Sequence, residues 1–120
     1  MLIAISASGP TLESPVDPRF GRAKYFIAFD TDTGAFQAHD NAQQRDAAQG
    51  AGIQSAENVS RLGASVVITG HCGPKAFRTL SAAGVRVVTG AEGAARDAIA
   101  AFQSGALKVA DAADVEGHWM

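Results

Sequence analysis

Hydrophobic and polar positions along the 120-residue chain change period several times, and each change marks a predicted element. Leu2 to Ser6 is an apolar run ending in Ser-Ala-Ser-Gly-Pro, the pattern of a buried strand followed by a loop. From Ala7 to Lys24 the chain carries three prolines and is longer than most connections in small domains, so this segment is read as functional. Tyr25 to Asp30 is aromatic and apolar, Thr31 to Gly34 has turn chemistry and Ala35 to His39 alternates, which together predict a β-hairpin.

A helical period begins near Asp46, with Ala48, Ala51 or Gly52, Ser55 or Ala56, Val59 and Leu62 on one face and Gly63 as a stop. Ser65 to Thr69 is a run of β-branched residues, followed by a tight turn, Gly70 to Gly73, and by Pro74 at the first position of a helix bearing Phe77, Leu80 and Ala83. Val85 to Val88 predicts a further strand. A last helix runs from about Glu92 to Gln103, with Ala95, Ile99 and Phe102 on one face. Beyond Gly105 only Leu107 and Val109 are expected to pack, leaving a flexible tail from about residue 106. The predicted order is β-β-β-α-β-α-β-α, an α/β class with the helix-joined strands parallel, in a single domain without repeats or linkers.

Composition narrows this frame. A chain of this length buries roughly 65% of its unfolded surface, enough for one core. Hydrophobic residues at 47% and charged residues at 18% belong to a globular protein, not to a disordered chain. The net charge of −2 argues against a general nucleic-acid partner, since such proteins carry a basic excess over phosphate. Cys72 is the only cysteine, so no intrachain disulfide forms, and no apolar run reaches the ~18 residues of a membrane helix. Cytoplasmic localisation and no membrane partner are the expectations.

In open α/β sheets ligands gather beyond the carboxyl ends of the parallel strands, where helix N-termini also point. Three loops meet that description: the segment after Ser6, with Ser8, Gly9, Arg19, Gly21, Arg22 and Lys24; the Gly70 to Gly73 turn with His71, Pro74, Lys75 and Ala76; and the turn at Thr89-Gly90 through Gly93. Free N–H groups and cations favour an anion there, and the glycines at 9, 21, 70, 73, 90 and 93 allow a bulky ligand to approach backbone. Phe20 and Phe77 are candidates for walls of this site or for core. Solvated basic side chains on ordinary glycine turns are the competing reading, and both stay open at this point.

His71 and Cys72 are a possible pair of metal ligands, since imidazole and thiolate both suit soft metals. His39 and His118 show no ligand spacing to them. His71-Cys72, five residues and Arg78 also match the H-C-x5-R pattern of cysteine phosphatases, although Pro74 removes one N–H group from the phosphate cradle that chemistry needs. A cluster-free regulatory interaction domain is the third alternative. Asp30-Thr-Asp32-Thr-Gly34 resembles the start of a calcium loop, but Asn41 stands where the bidentate Glu belongs, so it is read as the hairpin turn.

Three segments carry a family resemblance: Val16-Asp17-Pro18-Arg19-Phe20-Gly21-Arg22-Ala23-Lys24-Tyr25-Phe26, Val67-Ile68-Thr69-Gly70-His71-Cys72-Gly73-Pro74-Lys75-Ala76-Phe77, and Ala83-Gly84-Val85-Arg86-Val87. The chain up to about residue 105 resembles the dinitrogenase iron-molybdenum cofactor biosynthesis family, which includes NifX, the C-terminal part of NifB and stand-alone orange proteins. The resemblance implies a ribonuclease-H-like three-layer fold with a mixed five-stranded sheet. It also implies a non-catalytic carrier of an anionic metal-sulfide cluster, either molybdenum-copper-sulfide or iron-molybdenum-sulfur, and partners among cluster-assembly proteins or ParA/MinD-type ATPases. Nitrogenase-linked members often read Phe-Gly-His where this chain has Phe20-Gly21-Arg22, replacing an imidazole by a permanent cation, which favours the orange-protein-like branch.

Overall fold

The structure, a computed structural model, describes residues 1–41 and 51–110. Five strands form one sheet in the order β3-β2-β1-β4-β5, with β1 at Leu2–Ala7, β2 at Tyr25–Asp30, β3 at Phe36–Asp40, β4 at Val66–Ile68 and β5 at Arg86–Val88. β1 is antiparallel to β2 and parallel to β4, which is parallel to β5. The predicted mixed sheet is therefore present, with its parallel part made by β1, β4 and β5.

Side-chain alternation splits the core into two clusters, one on each face of the sheet. Ile3, Ile5, Ile27, Val66, Ile68 and Val88 face one way, where Ala95, Ala98 and Ile99 of α3 (Ala95–Gln103) cover them. Ala4, Phe26, Val67 and Val87 face the other way, under Ala56 and Val59 of α1 (Ala51–Arg61) and Ala76 and Leu80 of α2 (Pro74–Ala82). The result is three layers, α1 and α2 on one side and α3 on the other. The spacing of these buried residues, three or four apart along each helix, is the amphipathic stripe on which the sequence reading rested. Asp46 and Ala48 of the first predicted helix lie outside the described residues.

Several boundaries differ from the sequence expectation, and four of the differences have a clear local reason. β1 includes Ala7, which pairs with both Tyr25 and Val16. β3 starts at Phe36 because the Ala35 carbonyl accepts the Asp30 N–H and closes the hairpin, with Gly34 at φ +77°. Asp30 Oδ1 accepts the Asp32 N–H at 2.8 Å, so this carboxylate serves the turn. α3 starts at Ala95 rather than Glu92, because Gly93 has φ +79° and Ala94 is extended. Finally, residues 107–110 are not a free tail: Leu107 packs on the α3-side core, Val109 bridges to Val88, and the Ala110 N–H donates to the Val87 carbonyl at 2.7 Å.

Gly21 packs against the start of α1, where a Cβ would lie 2.8 Å from the Gly52 backbone. Gly21→Ala is expected to destabilise by roughly 1–3 kcal/mol, the range for overpacking a tight contact. Urea unfolding checks this, as a lower midpoint with an unchanged m-value.

Candidate functional site

Residues 8–24 lie across the carboxyl ends of the parallel strands and are anchored on both faces of the sheet. Leu12 and Val16 are buried in the α3-side core, whereas Phe20 is buried in the opposite cluster with its ring centroid 5.1 Å from that of Phe26. Between them the chain is tied down by backbone bonds: Ser8 N–H to the Pro15 carbonyl at 3.0 Å, Val16 N–H to Gly93 at 2.8 Å, Asp17 N–H to Ser6 at 2.9 Å and Phe20 N–H to His71 at 3.2 Å. A buried Asn41 holds the far end, donating to the Ala23 carbonyl at 2.9 Å and meeting Ser55 of α1. The long proline-bearing segment is thus an ordered strap.

This strap changes the role of several glycines. A Cβ at Gly70 would sit 2.7 Å from Pro18 Cα, and one at Gly9 would sit 2.5 Å from Ser14 Oγ. Gly9, Gly21 and Gly70 therefore admit the protein's own chain, and the expectation that they clear space for a ligand is corrected. Gly90 differs: nothing lies within 4 Å of its missing Cβ, and its φ of +82° suits the turn in which its N–H donates to the Gly70 carbonyl at 2.8 Å.

The N-termini of α2 and α3 at this end are unlike each other. At α3 the strap supplies acceptors, with Ala95 N–H on the Ser14 carbonyl at 2.9 Å and Arg96 N–H on Leu12 at 2.8 Å. At α2 the N-cap Gly73 is extended and offers no side-chain cap, and Pro74 occupies the first turn. Its Lys75 and Ala76 amides belong to the group of first-turn donors that no intrahelical carbonyl can reach. Among the described residues no carbonyl caps the first amides of α2, and such a positive helix end favours an anion.

Of the predicted cations, Arg19 is tied to the turn that leads into α2. Arg19 forms a parallel bridge with His71, and its N–H donates to Asp17 Oδ1 at 3.0 Å. Arg19, Lys24 and Lys75 are exposed, while Arg22 and His71 are half-buried. Lys24 places its ammonium 6.0 Å from the Tyr25 ring centroid. Thr89 is half-buried and Ser8 exposed at the same end of the sheet. Backbone bonds from Phe20 to His71 and from Gly90 to Gly70 thus join the three loops, and Gly21, beside Arg22, packs on the start of α1.

Two predicted members do not face this edge. Cys72 is 0% exposed within the cluster of Phe20, Ala76 and Leu80, with Sγ 3.7 Å from the Gly73 carbonyl oxygen. Packing of the turn on α2 buries the thiol, so neither metal ligation nor attack on phosphorus has access to it, and the Cys72 part of both expectations is corrected. Phe20 is likewise core. Among the described residues no group of three His, Cys, Asp or Glu side chains converges to hold a metal ion.

Sequence reasoning missed Ser6, Asp17 and Thr69, which join the loops from beneath. Ser6 Oγ lies 2.7 Å from Thr69 Oγ1 and 2.9 Å from the Asp17 carbonyl oxygen, both hydroxyl residues being 0% exposed. The available signal was a polar residue at the inner end of each of two apolar strands.

A mixed five-stranded sheet with helices on both faces and basic residues in the loops after its parallel strands defines a three-layer α/β domain. The chain matches the family model for dinitrogenase iron-molybdenum cofactor proteins over residues 1–105, and it belongs to that family. It is 40% identical to the apo form of the orange protein from Desulfovibrio gigas, with a TM-score of 0.93 over 95% of this chain and 96% of that one. A NifB-like protein from Thermotoga is 35% identical, with a TM-score of 0.84 over 97% and 98%. A dinitrogenase-like protein from Methanocaldococcus jannaschii, 14% identical with a TM-score of 0.68 over 93% and 96%, shares the fold alone. A search of curated protein sequences finds no match. No helix among the described residues is long and apolar enough to cross a membrane.

Burial of Cys72 has a direct consequence in solution. A thiol-reactive disulfide reagent is expected to label native protein about 100-fold more slowly than urea-unfolded protein, because reaction requires opening of the core. Equal rates would show that the thiol is accessible.

Proposed function

We propose that this protein is a non-catalytic carrier for an anionic metal-sulfide cluster, bound at the edge formed by Arg19, Arg22, Lys75 and the amides of Gly73, Lys75 and Ala76. The observation that carries this reading is the α2 N-terminus, which has no side-chain cap and adjoins the Arg19–His71 bridge. Cations and N–H groups contact the outer sulfur atoms of a cluster and need not replace them as ligands. Burial of Cys72 and the lack of a three-ligand group among the described residues fit this outer contact. Family membership and 40% identity to the orange protein support the carrier class.

Arg22 favours a molybdenum-copper-sulfide cargo over an iron-molybdenum-sulfur one, since guanidinium pairs with a polyanion and does not ordinarily ligate iron. His71 is, among the described residues, the imidazole at the edge and the candidate for a direct metal contact. Transfer to a cluster-assembly protein or to a ParA/MinD-type ATPase belongs to the same reading.

Anaerobic addition of tetrathiomolybdate and copper(I) is expected to give a stoichiometric visible band. The Arg19→Ala, Arg22→Ala double variant should bind about fivefold to tenfold more weakly at low salt, and the gap should narrow as salt rises. Lack of binding by wild type, both to this mixture and to an iron-molybdenum-sulfur precursor, would end the carrier reading.

A further inference from the structure

The buried hydroxyls beneath the cationic edge lie where the three loops meet. Ser6 ends the apolar run of β1, Thr69 follows β4, and their oxygens are 2.7 Å apart with no exposure to solvent. A hydroxyl has a single proton, so when Ser6 donates to the Asp17 carbonyl it accepts from Thr69, and the two bonds polarise each other in one chain. The same residues are also tied through their backbones. The Ser6 carbonyl accepts from Asp17 N–H at 2.9 Å, Thr69 N–H donates to Val88 at 2.9 Å, and the Thr69 carbonyl accepts from Ala91 N–H at 3.2 Å.

From Asp17 the linkage runs outward. Its carboxylate takes the Arg19 N–H at 3.0 Å, and the next residue, Phe20, donates its N–H to the His71 carbonyl at 3.2 Å. Three short steps therefore connect the buried oxygens to the residues that carry the charge. Burial in the sheet makes this support stiff, since moving Asp17 away would strand a hydroxyl in the core.

We infer that Ser6 and Thr69 are positioning residues for the anion site, a two-hydroxyl latch that sets the spacing between Arg19 and the α2 N-terminus. This inference rests on the carrier reading for its binding consequence, but its structural half stands apart from it. An electrostatic site is sensitive to such spacing, because preorganised donors lose no free energy to reorientation when the anion arrives. Loss of one hydroxyl leaves every cation in place and changes only where the strap holds them.

The test compares Ser6→Ala and Thr69→Val, which remove a latch hydroxyl, with Thr69→Ser, which keeps it, and with Ile99→Val, a core truncation on the opposite side of the sheet. Two readouts are taken under conditions where urea titration shows every variant folded: hydrogen exchange at the Phe20 amide and affinity for tetrathiomolybdate with copper(I). Ser6→Ala and Thr69→Val should speed Phe20 exchange by about tenfold and weaken binding by about threefold to tenfold, the range expected for one hydrogen bond. Thr69→Ser and Ile99→Val should stay within about twofold of wild type in both. Phe20 exchange that is unchanged in both hydroxyl deletions, or accelerated equally by Ile99→Val, overturns the latch whatever the cargo result. Normal binding by both deletions overturns its role in the site. If wild type binds neither cargo mixture the carrier reading falls, and Phe20 exchange still decides whether the hydroxyls hold the strap.

Discussion

Everything at the candidate site depends on β1 being paired along both of its edges. Residues Ile3 to Ala7 are wholly buried, with β2 antiparallel on one side and β4 parallel on the other. Its carboxyl end therefore opens at the centre of the sheet, beside the ends of β4 and β5, and whatever leaves it must cross that end. The strap does so with Val16 in one core and Phe20 in the other, and the cations between and after them are held over the strands by packing on two sides. A strand at the sheet edge would have delivered the same arginines to a mobile loop.

Much of this was legible in the sequence because it lies in local pattern. The order of elements along the chain, the three helices and the hairpin follow from period and turn chemistry, and the spacing of Ala56, Val59, Leu80 and Ile99 marks the buried face of each helix. The length of the proline-bearing segment also set it apart from an ordinary connection, and the structure has it as an ordered strap. Cations at Arg19, Arg22 and Lys75 are plain in the chain, and the strand-end rule brings their loops together without knowledge of contacts.

What was not legible depends on which atoms meet across long separations. Gly9, Gly21 and Gly70 look like clearance for a ligand until Ser14, Gly52 and Pro18 are found against them. Cys72 stands between His71 and Gly73 in an apparent ligand motif, yet a turn rotates successive side chains in different directions, and this one points into the core. The start of α3 at Ala95 likewise required knowing that the Ser14 and Leu12 carbonyls would meet its first amides. Ser6 and Thr69 carry no periodic signal, since a lone hydroxyl in an apolar strand looks the same whether it is tolerated or used.

These corrections bear on the kind of ligand the edge suits. Of the features that suggested chemistry, the thiol is buried, three glycines face the protein itself, and the amides of Ala95 and Arg96 are taken by the strap. What is left is cationic and amide-bearing, with one imidazole, His71, among the described residues. A bare metal ion gains little from such a surface, because guanidinium and ammonium have no lone pair to give and repel a cation. A preassembled anion that brings its own ligand shell gains charge neutralisation and hydrogen bonds without surrendering any bond to its metal. Such contacts are screened, multiple and individually modest, so they admit loading and release without covalent change, which is the demand placed on a carrier and not on a catalyst.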